Sequence, residues 1–434
     1  MSNQNPGRCP DCEGELSVVD GGQPWCTACE WNLTVYDPQV LPPRGWLWLE
    51  RWGHGVATRL DNRLFTENHR SPAERSHWTA ARVLLVAIST VLVLTALGCL
   101  IVGGMLMLRD FPSIWVVPGL GLILLGIVLR PRFGRGPRKR HRLRREQAPV
   151  FFALLDEVAS AAGAPVPDSV VLASEFNASM ARYGLRGHHS LSIGIPLWLV
   201  LTPQMRVALV AHEVGHLVNG DPSRGLLVEP ALSTFRRFAE ATGAERTLGY
   251  VFDADRGGNR GIGQLLFELV LWVISRVFLL IHIGLSALGL REHQRAEIRA
   301  DAVAAHVAGS EALTALLDRS ALSDVITTAI GHAAETKPPL RWSELADRLH
   351  QGRTAEMTQY RQLTQRGTSL WSSHPPLGLR SSLVESWPQE EPTVALTASQ
   401  WTQIDEELRP WYTAAHRAVL GARDYRPDSE ATIR

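Results

Sequence analysis

Residues 212–216 read His-Glu-Val-Gly-His and lie in an apolar segment that is predicted to be a helix. Pro203, at the start of this segment, is typical of the first residue of a helix. On a helix, His212 and His216 are one turn apart and face the same way, so both imidazoles can bind one metal ion. Glu213 lies beside them and can reach a water molecule on that metal. The pattern therefore predicts a catalytic zinc ion in preference to two histidines of a hydrophobic core.

A catalytic zinc ion needs a third protein ligand and leaves its fourth position for water. A second predicted helix, beginning near residue 291, carries three suitable side chains. His293, Glu297 and Asp301 are spaced at i, i+4 and i+8, which places them on one helical face. Spacing alone leaves all three as candidates for the third ligand.

The residues around the motif have the pattern of a small globular domain. Residues 147–162 have helical periodicity, and residues 169–173 and 190–197 are predicted strands. Residues 177–183 are predicted as an edge strand between them. The fold class expected is a mainly α membrane protein with a small β-sheet.

Four motifs of this chain, in the same order, resemble those of the HtpX-type and CAAX-prenyl-protease-type membrane metallopeptidases. They are Glu175-Phe-Asn-Ala178, residues 211–221, Ala296-Glu-Ile-Arg-Ala-Asp301, and Ser373-His-Pro-Pro376 followed by Arg380. The resemblance covers roughly residues 147–385. It implies a gluzincin-like metalloprotease domain over that range.

The resemblance also implies roles for individual residues. Glu297 would be the third zinc ligand, beside His212 and His216. Asp301 would orient a ligand histidine. Asn177 and Ala178 would belong to an edge strand that binds an extended substrate peptide by backbone pairing, which favours unfolded segments. Arg380 would also bind substrate.

The expected chemistry is peptide hydrolysis. Zinc polarises the scissile carbonyl and acidifies its water, and Glu213 would accept the proton of that water and later deliver it to the leaving amine. His374 is the candidate donor to the negatively charged intermediate, with Arg380 and Tyr183 as weaker candidates. A structural role for His374, capping the turn before Pro375, is the alternative.

The first 36 residues predict a separate zinc ribbon. Cys9, Cys12, Cys26 and Cys29 form two Cys-x-x-Cys pairs that can surround one tetrahedral, structural zinc ion. A redox pair, or cysteines without a shared role, are the alternatives. The ribbon region, residues 8–36, has one basic and five acidic side chains, so it repels phosphate. A docking site for a protein partner is expected there, and no nucleic acid.

Residues 83–129 predict a transmembrane helical hairpin. Residues 83–108 and 111–129 are uncharged, and only Arg109 and Asp110 separate them. The juxtamembrane segment 130–146 follows with nine lysine and arginine residues. The positive-inside rule then places the N-terminus and the active site in the cytoplasm of a multi-pass protein in the cell membrane. The lipid bilayer is therefore an expected partner.

Residues 264–290 are strongly apolar but contain Glu268, Arg276 and His282. A single crossing here would put Glu297 on the opposite side of the membrane from His212. The segment is therefore expected to be a hairpin, or a helix that lies in or under the membrane without crossing.

Two further segments carry less information. Residues 37–82 are a Trp-rich linker, which either lies at the membrane interface or packs on a neighbouring domain. Residues 386–434 are predicted as a helical C-terminal segment of no evident function.

Composition narrows the class of protein. The chain has 434 residues with 44 basic and 43 acidic side chains, so no global charge points to a polyanionic partner. The N-terminus lacks the pattern of a cleavable signal peptide. Arginine greatly outnumbers lysine, which indicates a GC-rich bacterial genome. The favoured function is a membrane-anchored zinc endopeptidase. The resemblance implies a role in quality control of membrane proteins or in trimming of a specific membrane substrate. The alternative is a degenerate membrane adaptor that recruits partners through its ribbon.

Overall fold

The computed structural model describes residues 8, 13–14, 16–17, 25–26, 47–71, 80–109, 111–130, 136–137, 142–184, 186–218, 234, 262–333, 341–351, 357–366 and 374–424. Most of these residues are helical. The helices are α1 (Leu47–Asn68), α2 (Ala80–Leu108), α3 (Val116–Leu129), α4 (Pro149–Ala162), α5 (Ile195–Val200), α6 (Pro203–Val218), α7 (Ile262–Ala308), α8 (Ser310–Ala321), α9 (Ser323–Ala333), α10 (Trp342–Gln351), α11 (Met357–Arg366), α12 (Leu377–Ser386) and α13 (Ala398–Asp424).

Two small sheets accompany the helices. Strands β1 (Leu16–Ser17) and β2 (Trp25–Cys26) form an antiparallel pair. The second sheet contains β3 (Arg142–Leu143), β4 (Ser169–Ala173), β5 (Ala178–Tyr183) and β6 (His188–Gly194), in the spatial order β3-β4-β6-β5. β4 and β6 are parallel, and the other two pairs are antiparallel. β5 is therefore an edge strand, and the expected mainly helical fold with a small sheet is confirmed.

The strand predicted at residues 190–197 differs from the one observed. β6 begins earlier, at His188, and ends at Gly194, after which Ile195–Val200 is helical. Pro196 explains the change, because proline cannot donate a ladder hydrogen bond but fits the first turn of a helix. All six residues of α5 are buried, so an apolar run alone does not distinguish this helix from a strand.

One hydrophobic core joins the sheet to the helices around it. Trp198 of α5 and Trp342 of α10 are fully buried in it. The core extends into α13, which contributes Trp401, Leu408 and Tyr412. Residues 398–424 thus pack within the same body as α4, α5 and α6, although the sequence predicts only a helical C-terminal segment there.

The apolar segment after residue 80 forms a helix pair. α2 and α3 pack closely where a methyl group on Gly103 would lie 2.7 Å from the carbonyl oxygen of Gly119. Within the described part of the chain, the one helix that is long and apolar enough to cross a membrane is Val83–Leu108. α3 has 14 residues, about 21 Å, against a hydrocarbon core of about 30 Å. The second span predicted at residues 111–129 is thus shorter in the structure than expected.

Residues 262–308 form one continuous helix, α7, of 47 residues. Of the two alternatives for residues 264–290, a helix or a hairpin, the structure has the helix. Val273, Val277 and Leu280 form an exposed apolar stripe on its N-terminal half. Its C-terminal half carries Glu297 and Asp301. The apolar stripe and the candidate site are therefore parts of one helix, whose whole length is about 70 Å.

The N-terminal regions are described only in part. Cys9, Cys12 and Cys29 lie outside the described residues, and of Cys26 only its place in β2 is described. The zinc ribbon and its structural zinc ion therefore stay predictions. The predicted linker at residues 37–82 contains the helix α1, in which Trp52 is exposed.

Candidate active site

The two histidines of the motif lie together on α6. The centroids of the His212 and His216 rings are 5.0 Å apart. His212 is buried, and His216 is partly exposed. Glu213, on the same helix turn, is also buried, with 6% of its surface exposed. α6 begins at Pro203, as the sequence predicts.

Glu297 of α7 faces both histidines. Its Oε2 atom is 3.5 Å from His212 Nε2, and its Oε1 atom is 3.5 Å from His216 Nε2. One ligand atom from each of the three residues lies within 4.8 Å of the other two. Among the described residues, this is the one group of three or more histidine, cysteine or carboxylate side chains that could hold a metal ion.

The donor set fits a zinc ion. Glu297 is 1% exposed, and nitrogen atoms of His212, His216 and His374 lie within 3.5 Å of its carboxylate oxygens. Burying a carboxylate is costly, and a bound cation offsets that cost. Two imidazoles and one carboxylate are the ligands of a known class of catalytic zinc sites.

Asp301 lies one helical turn beyond Glu297 and contacts the other side of His212. Its Oδ1 atom is 3.0 Å from His212 Nδ1. Arg380 of α12 holds the same carboxylate through two hydrogen bonds, Nε to Oδ2 at 2.7 Å and Nη2 to Oδ1 at 2.5 Å. This arrangement leaves His212 Nε2 facing Glu297, which suits a histidine that binds metal through Nε2.

Arg380 is expected from the sequence to bind substrate, and its position does not suit that role. The side chain is 6% exposed, and its Nη1 atom lies 3.5 Å from Glu297 Oε2. The guanidinium is engaged by two buried carboxylates instead. Its position beside them could not be inferred from the spacing of the His-Pro motif.

Electrostatics keep both carboxylates charged. Burial raises the pKa of Glu297, but the contacts with His212 and His374 and the positive charge of Arg380 hold it well below its ordinary value. Burial raises the pKa of Asp301 as well. The charge and hydrogen bonds of Arg380 outweigh this effect and hold the pKa of Asp301 below its ordinary value. Two buried negative charges thus face one buried guanidinium and the histidines.

The pKa of His212 is raised to about 10. Burial and the charge of Arg380 lower it, but the hydrogen bonds to Asp301 and Glu297 raise it by more. A metal ion binds the neutral imidazole, so metal binding at this cluster would require a protonated His212 to lose its proton.

His374 lies at the solvent side of the site, with 45% of its side chain exposed. Its Nδ1 atom is 2.6 Å from Glu297 Oε2. His293, the other exposed histidine nearby, has its Nε2 atom 4.0 Å from Glu297 Oε1 and 51% of its side chain exposed. The two rings have centroids 6.3 Å apart, so they flank the entrance to Glu297.

The edge strand β5 lies against α6. Gly194 N donates to the carbonyl oxygen of Asn177 at 2.7 Å, which identifies that pair as hydrogen-bonded in the antiparallel ladder. By the alternation of such ladders, the backbone groups of Ala178, Met180 and Arg182 face away from β6. Within the described part of the chain, no strand pairs with this side of β5, which is thus a free edge on which an extended chain can pair.

Gly215, between the two histidines, brings α6 and α7 together. A methyl group there would lie 2.9 Å from the Cα atom of Ala300. Sequence reasoning did not identify this contact, although a glycine inside a helix is a signal for close packing.

Helix α13 also supports α6 through side chains that sequence reasoning did not single out. Arg206 Nη1 donates to Asp405 Oδ1 at 2.9 Å, and the Tyr412 hydroxyl donates to the same oxygen at 2.8 Å. Trp198 Nε1 donates to Tyr412 Oη at 3.0 Å. The helix that carries the histidines is therefore held on the side opposite α7.

Comparisons with known proteins agree with this geometry. Residues 147–387, more than half of the chain, match the family model described as Peptidase family M48. The chain is similar to Protease HtpX of Alcanivorax borkumensis, with 26% identity over 235 residues, 53% of this chain and 68% of the relative. It is similar to Protease HtpX of Chromohalobacter salexigens, with 28% identity over 221 residues, 51% of this chain and 66% of the relative. For the Protease HtpX homolog of Variovorax paradoxus, identity is 26% over 294 residues, 60% of this chain and 96% of the relative. No solved structure matches the chain.

Proposed function

This chain belongs to peptidase family M48, and from that membership we propose that it is a membrane-anchored zinc endopeptidase. It would hydrolyse peptide bonds of membrane-associated or unfolded proteins on the cytoplasmic side, as part of protein quality control. The observation that carries the proposal is the cluster of His212, His216 and Glu297, whose ligand atoms lie within 4.8 Å of one another.

In this proposal three side chains hold the metal and one moves the proton. His212, His216 and Glu297 would bind zinc, which when bound acts as a Lewis acid and lowers the pKa of a coordinated water. Glu213 would accept a proton and pass it to the leaving amine. It is buried beside the ligands, where a carboxylate base is shielded from bulk water.

Substrate binding would use the free edge of β5. The outward backbone groups of Ala178, Met180 and Arg182 can pair with an extended peptide, and the contact of β5 with α6 brings such a peptide towards Glu213. Because backbone pairing needs an unfolded strand, this mode selects loops and unfolded segments. His374, exposed at the entrance, remains the proposed donor to the oxyanion.

The membrane anchor is proposed to be the pair α2 and α3. Val83–Leu108 meets the length and composition of a span. The basic residues of 130–146 favour a cytoplasmic position for the peptidase domain. The ribbon would also be cytoplasmic, and there it would dock a protein partner.

The proposal can be tested with the full-length chain purified in detergent. Incubation with a library of unstructured peptides should give cleavage that a chelator abolishes and added zinc restores. The control is Glu213→Gln, which keeps the size of the side chain and removes the base. We expect this variant to keep its zinc and to lose at least about 100-fold in kcat.

Two outcomes would contradict the proposal. Equal cleavage by the parent chain and by Glu213→Gln would remove Glu213 from the chemistry. Zinc-loaded parent protein that cleaves no peptide would favour the adaptor alternative.

A further inference from the structure

Helix α1, which precedes the membrane hairpin and lies outside the matched family region, has one buried face. Ala57, Asp61, Leu64 and Asn68 are spaced by four, three and four residues, so they lie on one side of the helix. Their exposed fractions are 0%, 6%, 2% and 2%. Two of the four are polar, and polar side chains buried in this way need specific partners.

The partner of Asp61 lies on α7, three residues before Glu297. Gln294 Nε2 donates to Asp61 Oδ1 at 2.6 Å, and Gln294 is itself 3% exposed. The next residue, Arg295, forms an ion pair with Glu67 at 2.8 Å. α1 is therefore attached to α7 within one helical turn of the third candidate metal ligand.

α1 also contacts the end of α12. Trp387 Nε1 donates to the carbonyl oxygen of Asn68 at 2.7 Å, in a buried position. α12 carries Arg380, which holds Asp301 beside His212. α1 thus touches both elements that complete the site around the histidines of α6.

The place of Glu297 depends on the place of α7, because α7 carries it towards the histidines of α6. On one side, α7 is in close contact with α6 at Gly215 and Ala300. On another side, it is fixed by the bond between Gln294 and Asp61. A helix of 47 residues with an exposed apolar stripe on its N-terminal half needs such restraints to keep a ligand in register.

We propose that α1 is a positioning element of the peptidase and that Asp61, acting through Gln294, is a positioning residue for Glu297. The inference rests on the proposed function, because it assumes that Glu297 binds the catalytic metal. Among the described residues, Asp61 contacts Gln294 of α7 and none of the proposed ligands, so its removal is expected to alter the site through the placement of α7.

The test compares Asp61→Ala, Asp61→Asn and Arg63→Ala in the full chain. Asp61→Ala removes the acceptor, and Asp61→Asn keeps an amide oxygen that can accept from Gln294. Arg63 is exposed on the same helix and serves as the matched control. Zinc affinity is measured by chelator competition, with Glu297→Ala protein giving the baseline of zinc bound elsewhere. Steady-state cleavage of a short peptide gives kcat and KM.

We expect Asp61→Ala to weaken catalytic zinc binding about tenfold, as for residues that support metal ligands. We also expect it to lower kcat with little change in KM. Asp61→Asn should retain most of both properties, and Arg63→Ala should equal the parent. If Asp61→Ala melts at a lower temperature but binds zinc with unchanged affinity, its role is structural only and the proposal is wrong.

A second pair of variants keeps the test decisive if Asp61→Ala does not fold. Gln294→Glu places two carboxylates face to face and should weaken zinc binding. Adding Asp61→Asn to it restores a donor and an acceptor and should recover the affinity. Failure to recover would overturn the proposal. A parent chain without catalytic zinc would instead overturn the proposed function, so the two failures are distinguishable.

Discussion

At the scale of single residues, Glu297 and His293 are the two candidates compared for the third metal ligand. His293 lies four residues before Glu297 on the same helix. Glu297 is buried, and its oxygens approach both histidines of α6. His293 is half exposed, with its Nε2 atom 4.0 Å from Glu297 Oε1. Its position suits a residue at the entrance to the site better than a ligand.

We therefore predict that the parent chain binds two zinc ions and that Glu297→Ala binds one. His293→Ala should still bind two. Mass spectrometry of the native protein, or elemental analysis after dialysis, measures the number. The ion left in Glu297→Ala should be lost when Cys9→Ser is added, because it belongs to the predicted ribbon. A His293→Ala protein with one ion and a Glu297→Ala protein with two would reverse the assignment.

At the scale of elements, the distance between α6 and α7 is set where Gly215 meets Ala300. Glycine inside a helix costs about 1 kcal/mol relative to alanine, so intrinsic propensity favours Gly215→Ala. The added methyl group would lie 2.9 Å from a backbone carbon, which forces the helices apart. Because Glu297 is on one helix and the histidines are on the other, the three ligands would separate.

We predict that Gly215→Ala weakens catalytic zinc binding by about tenfold or more, which chelator competition would measure. The matched control is Gly331→Ala in α9, where a methyl group would have no neighbour within 4 Å. That variant should bind zinc as the parent does. Equal zinc affinity in the two variants would show that α6 and α7 tolerate the methyl group.

The elements show what the sequence could and could not predict. The helix of the motif and the edge strand could be predicted from the sequence, because capping residues and apolar spacing are local signals. His212 and His216 lie on one face of α6, and Glu297 and Asp301 lie on one face of α7. Each pair could therefore be recognised from its spacing in the sequence. The position of Arg380 and the contacts of α1 and α13 depend on which surfaces pack together, and no local pattern specifies that.

At the scale of the whole molecule, the apolar helices and the candidate site must be compatible with one membrane orientation. In the proposed topology, the hairpin of α2 and α3 returns the chain to the side of the membrane on which it started. α7 is continuous, so its apolar half cannot reverse within residues 262–308. The site requires α6 and the end of α7 on the same side.

We predict that residues 20, 240 and 417 are all cytoplasmic. Asp20→Cys, Glu240→Cys and Arg417→Cys, made singly, should be shielded from a membrane-impermeant thiol reagent in intact cells and labelled after lysis. The parent chain, labelled in parallel, gives the background from its own five cysteines. Labelling of position 417 alone in intact cells would mean that α7 crosses the membrane once.

The support of α6 by α13 has a consequence for the order of events during synthesis. Arg206 and Asp405 are 199 residues apart in the chain, and Trp198 and Tyr412 are 214 apart. Glu407 accepts hydrogen bonds from the first backbone amides of α4, across 257 residues. Contacts between such distant residues form slowly, because a long loop must close before they can act. The helix of the motif leaves the ribosome long before the residues of α13 that support it. In the proposed topology, a growing chain therefore lacks this support for its site while α2 and α3 are already being inserted into the membrane.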